Sequence, residues 1–126
     1  LSIGESAFYG CTSLKKFDFS KVFSIGKVAF YHCSSLESIV LPENVTVIGN
    51  SAFQGCNGVT SLNIPGTVKS IGEEAFCSCE KLKELVVNEG VSSIGKRAFA
   101  ECKSLETVTL PKSAAIGERF LQIINR

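Results

Sequence analysis

Cysteine is the residue type in this sequence with the most obvious chemical potential, since six occur among 126 residues. Five of them recur at a step of 22 or 23 residues, and these are Cys11, Cys33, Cys56, Cys79 and Cys102. Metal binding fits poorly, because metal-binding cysteines cluster as Cys-x-x-Cys and only one histidine is present. Disulfide pairing of adjacent members is geometrically open. An odd series of five nevertheless favours a column of buried free thiols.

Cys77 and His32 are the remaining candidates for reactive chemistry. Cys77 shares its position in the repeat with Tyr9, Tyr31, Gln54 and Ala100, outside the column, so we expect it to be the most accessible thiol. His32 shares its position with Gly10, Gly55, Ser78 and Glu101, which indicates a tolerant surface site. It has no recurring Ser, Asp or Cys partner for a triad, and the carboxylates scatter over variable positions. We therefore predict no catalytic, cofactor-binding or metal-binding residues and no enzymatic activity.

The charge pattern argues against nucleic acid and membrane partners. The 13 basic and 12 acidic residues give a net charge of +1 and are spread along the chain. No apolar run approaches the roughly 20 residues needed to cross a bilayer, so we expect no direct membrane insertion. Asn44-Val45-Thr46 matches a glycosylation sequon, but a three-residue pattern occurs by chance more often than it is used.

The cysteines belong to a longer repeat that begins with Ile-Gly. This pair starts at Ile3, Ile25, Ile48, Ile71, Ile94 and Ile116, again in steps of 22 or 23 residues. Ala-Phe and then Cys follow at four, five and eight residues after the isoleucine, as in Ala7, Phe8 and Cys11. Such spacing places these side chains on one side of a short helix or helical turn. We expect the glycine where the backbone packs closely or needs a positive φ.

The second half of each repeat changes to the alternation of a β-strand. Its apolar residues follow Leu-x-x-Ile-x-Leu, as in the segment 36–41, so the last two point inward and the residue between them points outward. Pro42, Pro65 and Pro111 follow directly and end the strand. Stacked units would form a parallel sheet on one side, with the Ile-Gly segment as a right-handed crossover.

The unit Ile-Gly-x-x-Ala-Phe-x-x-Cys-x-Ser-Leu, legible at 3–14 and 94–105, resembles the BspA-like or Treponema pallidum-type leucine-rich repeats over roughly residues 1–117. Local departures are Asn88 and Ser20, which stand where Pro is usual, and Arg119-Phe120, which come one residue early. The resemblance implies an α/β solenoid: a right-handed leucine-rich-repeat superhelix with a concave parallel sheet and short helices or turns on the convex side. We predict a single domain over 1–126 with about five repeats, in which 118–126 form a degenerate C-terminal cap.

The outward strand residues are the candidate binding surface. They form two columns across the predicted concave sheet, namely Lys16, Ser38, Ser61, Glu84 and Thr107, and Asp18, Val40, Asn63, Val86 and Thr109. Small polar side chains and two valines make a weakly charged wall that suits a protein or peptide, although β-forming residues also simply suit a sheet.

From the resemblance we expect a non-catalytic module for protein binding or adhesion at a microbial cell surface, with a host or neighbouring protein as partner. The alternative is an intracellular scaffold in a stable assembly, for example a cytoskeletal one, which reduced thiols would favour. A surface or secreted location is preferred over a cytoplasmic or cytoskeletal one. Further repeats or chains stacked on the open ends are additional possible partners.

Overall fold

The computed structural model describes residues 1–121, which wind into stacked turns that carry two parallel sheets. The isoleucine sheet has six strands, each holding the isoleucine of one repeat: β1 (Ser2–Ile3), β2 (Ser24–Ile25), β3 (Val47–Ile48), β5 (Ser70–Ile71), β7 (Ser93–Ile94) and β9 (Ala115–Ile116). The wall sheet has three: β4 (Ser61–Ile64), β6 (Glu84–Val87) and β8 (Thr107–Thr109). Successive repeats pair in register, with Ile25 beside Ile48 and Leu62 beside Leu85. The predicted parallel solenoid is therefore correct.

Of the short helices or turns predicted for the convex side, the structure shows only turns in the part of the chain that it describes. In each repeat the segment from Gly to Cys forms them. Its amides alternate between two kinds of partner. The Ala7 N–H donates to Gly4 O at 3.2 Å within the repeat, whereas the Phe8 N–H donates to Ala29 O of the next repeat at 2.7 Å. A helix directs every amide to its own chain four residues back, so it cannot satisfy this cross-repeat ladder.

Two backbone positions in each repeat lie in the left-handed region, and they also exclude a helix. The first is occupied by Ser6, Val28, Ser51, Glu74, Arg97 and Arg119, and the second by Gly10, His32, Gly55, Ser78 and Glu101. His32, at φ 56°, therefore sits at a conformationally demanding position and not at a tolerant one. Its side chain is exposed as expected, but Glu101 at the equivalent position is only 6% exposed.

The glycine of the Ile-Gly pair is required by close contact between repeats. A Cβ at Gly49 would lie 2.8 Å from the carbonyl carbon of Gly26 in the preceding repeat, a separation that neither backbone can absorb without moving. Gly4, in the first repeat, has nothing within 4 Å of that position. Neither glycine has a positive φ. Of the two reasons expected for this glycine, close backbone packing is therefore correct and a positive φ is not.

The core is a set of stacked columns, and the phenylalanine column is the largest. Consecutive rings from Phe8 to Phe99 lie 5.1 to 5.2 Å apart between centroids and are nearly parallel. Phe17 and Phe19, in segment 16–19 of the first repeat, pack edge-on against this stack. The ring centroid of Phe19 lies 5.9 Å from that of Phe53, two repeats away. Each ring thus gains most of its contacts from neighbouring repeats, as expected for a solenoid.

At the C-terminal end, residues 117–121 continue the turns of the preceding repeats. The Arg97 N–H donates to Glu118 O at 2.9 Å, and the Phe99 N–H donates to Phe120 O at 2.6 Å. Phe120 therefore occupies the alanine position of the repeat, and Leu121 occupies the phenylalanine position. Although Phe120 comes one residue early in the sequence pattern, the backbone register is unchanged. The remainder of the predicted cap, residues 122–126, lies outside the described residues.

Gly49→Ala should destabilise the chain by about 1–3 kcal/mol, because the new methyl group forces two repeats apart. Gly4→Ala is the matched control and should leave stability almost unchanged, since open space surrounds that position. Urea unfolding followed by circular dichroism measures both free energies. Equal losses for the two variants would mean that close approach between repeats is not what requires the glycine.

Phe53→Ala should cost about 3–5 kcal/mol, because it empties the middle of a fully buried ring stack. Phe23→Ala serves as the comparison, since Phe23 is 50% exposed and should contribute far less. Thermal unfolding of both variants tests the assigned register, which an unchanged melting temperature for Phe53→Ala would contradict.

Candidate functional site

The wall sheet places the predicted binding residues of repeats three to five side by side. Ser61, Glu84 and Thr107 pair in one column, and Asn63, Val86 and Thr109 pair in the next. The residue between the columns is buried in β4 and β6, where it is Leu62 and Leu85, whereas Val108 in β8 is 37% exposed. Alternation in the sequence therefore located these outward side chains correctly.

The ten predicted binding residues differ little in exposure. Val86 is half-buried and the other nine are exposed. Val40 stands out, because 75% of this apolar residue is open to solvent. The sequence thus identified where these side chains lie, while their role in binding stays a prediction.

The first two repeats depart from this regular wall. Segments 16–19 and 38–41 carry the equivalent residues but form no strand. The Glu37 N–H donates to Lys15 O at 3.0 Å, just above them. Within the described part of the chain, residues 38–41 then make no backbone hydrogen bond to either neighbouring repeat.

Bulky aromatic residues account for this interruption of the ladder. Phe17 and Phe19 stand where the later repeats carry leucine, isoleucine or valine. Phe19 is only 2% exposed and lies against the rings of Phe30 and Phe53, beneath the second repeat. Its volume separates the wall segments, because a tightly packed core accommodates extra atoms by moving backbone. The two phenylalanines were visible in the sequence, but their effect on strand pairing was missed.

Two shallow depressions result, one on each side of Val40. The first, of about 180 Å³, is lined by Phe17, Asp18, Phe19, Ser20, Val40 and Pro42. The second, of about 200 Å³, is lined by Ser38, Ile39, Val40, Leu41, Ser61 and Asn63. Segment 38–41 therefore lies between two depressions that are open to solvent, and Val40 lines both of them.

The charges on the wall are few, and Asp18 is fixed as a carboxylate. Its Oδ1 accepts the Ser20 N–H at 2.9 Å. Hydrogen bonds from the Ser20 backbone and side chain, together with the positive charge of Lys21, lower the pKa of Asp18 below its ordinary value. Lys16 and Glu84 are the other two charged residues among the ten, so the wall carries no strong field of either sign.

Asn63 is less free to contact a ligand than its exposure indicates. Its Oδ1 accepts a hydrogen bond from the Asn88 Nδ2 at 3.0 Å. The Asn88 Nδ2 also donates to Ile64 O at 2.8 Å. The Asn88 N–H also donates to Ile64 O, so this residue extends the strand where proline would have ended it. The departure at Asn88 thus supports the wall.

The recurring cysteines form the predicted column of buried free thiols, and the fold gives them a specific task. Each thiol donates to the phenylalanine carbonyl of the preceding repeat at 3.2 to 3.4 Å, as Cys33, Cys56, Cys79 and Cys102 all do. All six cysteines of the described chain are free. Burial raises the pKa of Cys56 to about 12, so its thiol remains protonated and unreactive at neutral pH.

The prediction that Cys77 is the most accessible thiol is wrong. Cys77 is only 2% exposed, and the Arg97 side chain of the next repeat covers it, with Nη2 at 3.8 Å from Sγ. The Arg97 Nε is held in turn by Glu74 Oε2 at 3.2 Å. Cys11, at the open end of the column, is the more exposed thiol.

Other chemical features add no further site. The described residues contain no group of three or more metal-ligating side chains, and none of their segments forms a helix able to cross a membrane. Asn44 lies exposed in the turn after the second wall segment, and its glycosylation stays a prediction.

The family model described as the BspA type leucine rich repeat region matches residues 1–122 in six copies, one more than the number of repeats expected above. The comparison with curated proteins found no match.

Three solved structures share the fold. A T. pallidum leucine rich repeat protein is 27% identical with a TM-score of 0.72 over 93% of this chain. A leucine rich cell surface protein from Faecalibacterium prausnitzii is 32% identical with a TM-score of 0.80 over 85% of the chain. A leucine-rich repeat protein from Bacteroides ovatus is 30% identical with a TM-score of 0.57 over 93% of the chain. This chain spans 66%, 28% and 43% of their respective lengths.

Thiol labelling should distinguish Cys11 from the other cysteines. With a thiol reagent at neutral pH, the folded chain should modify Cys11 first, because the remaining five are buried. Peptide mass mapping over time gives the order of reaction, and all six should react rapidly once guanidinium unfolds the chain. Modification of Cys77 as fast as Cys11 would show that the Arg97 side chain does not shield it.

Proposed function

We propose that this chain, which belongs to the BspA-type leucine-rich repeat family, is a non-catalytic module that binds another protein through its wall. The wall comprises the wall sheet and the preceding segments 16–19 and 38–41. The observation that carries the proposal is that nine of the ten outward residues are exposed and that the six in the wall sheet pair in register into two columns. Leucine-rich repeat proteins generally act as binding modules, which agrees with this use of the wall.

The chemistry of the wall favours a protein over a nucleic acid. Only Lys16, Asp18 and Glu84 are charged among the ten residues, and the chain has a net charge of +1. A nucleic-acid site needs concentrated positive charge to replace counterions along the phosphates. Serine, threonine and asparagine interspersed with Val40 and Val86 instead match the mixed polar and apolar character of transient protein interfaces.

We propose that this binding serves adhesion at a microbial cell surface, with a host protein or a neighbouring surface protein as partner. Support comes from the F. prausnitzii structure, which is described as a leucine rich cell surface protein and is 32% identical to this chain. Since the chain spans 28% of that protein, the location and the adhesive role are proposals for the chain.

An intracellular scaffold is the second candidate function. One observation favours it: all six cysteines of the described residues are free thiols, as is usual for proteins of a reducing compartment. In that setting the same wall would hold a fixed neighbour within a stable assembly, so the two candidates differ in compartment and partner and share the binding surface.

Site-specific photocrosslinking tests the proposed function. Two variants are expressed in the source cells. A photoreactive phenylalanine analogue replaces Ser61 on the wall in one of them and Lys27, in the turns outside the wall, in the other. We expect discrete protein adducts from position 61 and few from position 27, because both residues are exposed but only Ser61 lies on the wall.

The adducts also separate the candidate functions. Extracellular or host proteins would support adhesion, and a constant set of intracellular proteins would support the scaffold. Adducts that form from position 27 and not from position 61 would contradict binding through the wall.

A further inference from the structure

The interruption of the wall at the second repeat leaves main-chain groups available for a partner. Residues 38–41 make no backbone hydrogen bond to segment 16–19 or to β4 within the described chain. The corresponding residues of β6 are paired on both sides, to β4 and to β8. Backbone amides and carbonyls that protein does not satisfy must bond to water or to a ligand.

The two depressions lie beside the exposed residues of this segment, Ser38 and Val40, whereas Ile39 and Leu41 are buried. Bonds above and below the interruption close its ends, from Glu37 N–H to Lys15 O at 3.0 Å and from Thr46 N–H to Phe23 O at 3.0 Å. Between them, segment 38–41 borders cavities of about 180 and 200 Å³. These two bonds bound the depression on the side of the first repeat, and the Lys69 N–H to Thr46 O bond closes the lower end on the side of the third repeat. The feature is thus a pair of clefts around one extended segment, and the later repeats have no equivalent among the described residues.

The lining specifies what an occupant must carry. Val40 and Pro42 offer apolar contact, while the Ser38 and Ser61 hydroxyls and the unpaired backbone groups of exposed Ser38 and Val40 offer both hydrogen-bond donors and acceptors. An occupant therefore needs alternating donors and acceptors together with an apolar side chain, which is the composition of a peptide segment.

A sugar would meet the hydrogen-bonding requirement but not the apolar one. Sugars stack on the open face of aromatic rings, and at this site Phe19 is buried while Phe17 is half-buried. Phe19 is 2% exposed, and Phe17 lies edge-on to Phe8 at 5.1 Å. The remaining apolar surface is the aliphatic tip of Val40 with Pro42, which suits an aliphatic side chain.

We infer that the clefts around segment 38–41 bind an extended peptide segment of the partner protein, with its main chain hydrogen-bonded to that segment and an apolar side chain against Val40. The inference rests on the proposed function and narrows it to the first three repeats. It also assigns different roles to equivalent wall residues, since Thr109, in the same column as Val40, lies in a paired strand outside the clefts.

A displayed library of random twelve-residue peptides, selected on the full 126-residue chain, provides the probe. Individual selected peptides are then synthesised and titrated by fluorescence polarisation against the unmodified chain, Val40→Asp and Thr109→Asp. Both replaced residues are exposed, so both variants should fold, which circular dichroism checks. We expect at least a tenfold loss of affinity for Val40→Asp and less than a twofold change for Thr109→Asp.

Two further measurements address main-chain recognition directly. Methylation of a single backbone nitrogen in the selected peptide should weaken binding about tenfold at one or more positions, because it removes a donor. Amide hydrogen exchange should be fast at residues 39–41 in the free chain and slow at residues 85–87, and the bound peptide should protect 39–41.

Several results would overturn the inference while leaving wall binding intact. These are selected peptides that lose affinity with Thr109→Asp but not with Val40→Asp, tolerance of methylation at every peptide nitrogen, or unchanged exchange at 39–41 on binding. Failure to select any peptide would overturn it as well, and photocrosslinking from Ser61 then decides independently whether the wall binds a protein at all.

Discussion

The short distance between successive repeats is the constraint on which the rest of this structure depends. The ring stack sets a step of about 5.1 Å between repeats, and the glycine column brings the backbones into direct contact beside it. Where the backbones touch, on the turn side and in the isoleucine sheet, each segment must hydrogen-bond to the neighbouring repeats, because water cannot enter between them. The turn side consequently uses alternate amides for the cross-repeat ladder and the intervening amides for its own turns.

That constraint explains which parts of the fold were predictable from the sequence. The parallel arrangement and the register follow from the fixed step and from the invariant positions of Ile, Phe and Cys. The helices did not follow, because a spacing of four, five and eight residues fits a helix as well as a chain of turns. Only the backbone ladder and the left-handed positions, such as Ser6 and Val28, exclude the helix, and side-chain periodicity carries no information about either.

The isoleucine sheet was missed for a related reason. Its strands are two residues long, too short for alternation to appear in the sequence. The β-branched isoleucine before a glycine was consistent with a strand, but a glycine there was equally consistent with a turn. In the wall, too, the sequence pattern predicted only part of the structure. Alternation located the outward columns in all five repeats, whereas the loss of pairing around 38–41 depends on how far the Phe19 ring extends beneath the second repeat.

The cysteine column bears on function less than its prominence in the sequence indicates. Each buried thiol is small, apolar and able to donate one hydrogen bond. It donates to the phenylalanine carbonyl of the preceding repeat, which also accepts the cysteine N–H of its own repeat. Its reduced state therefore follows from packing and is compatible with a surface protein as well as with an intracellular one. The distinction between adhesion and scaffolding consequently rests on the compartment and on the partner. Both candidates use the same wall, where the interruption at Val40 gives this chain a feature that the repeat pattern alone does not specify.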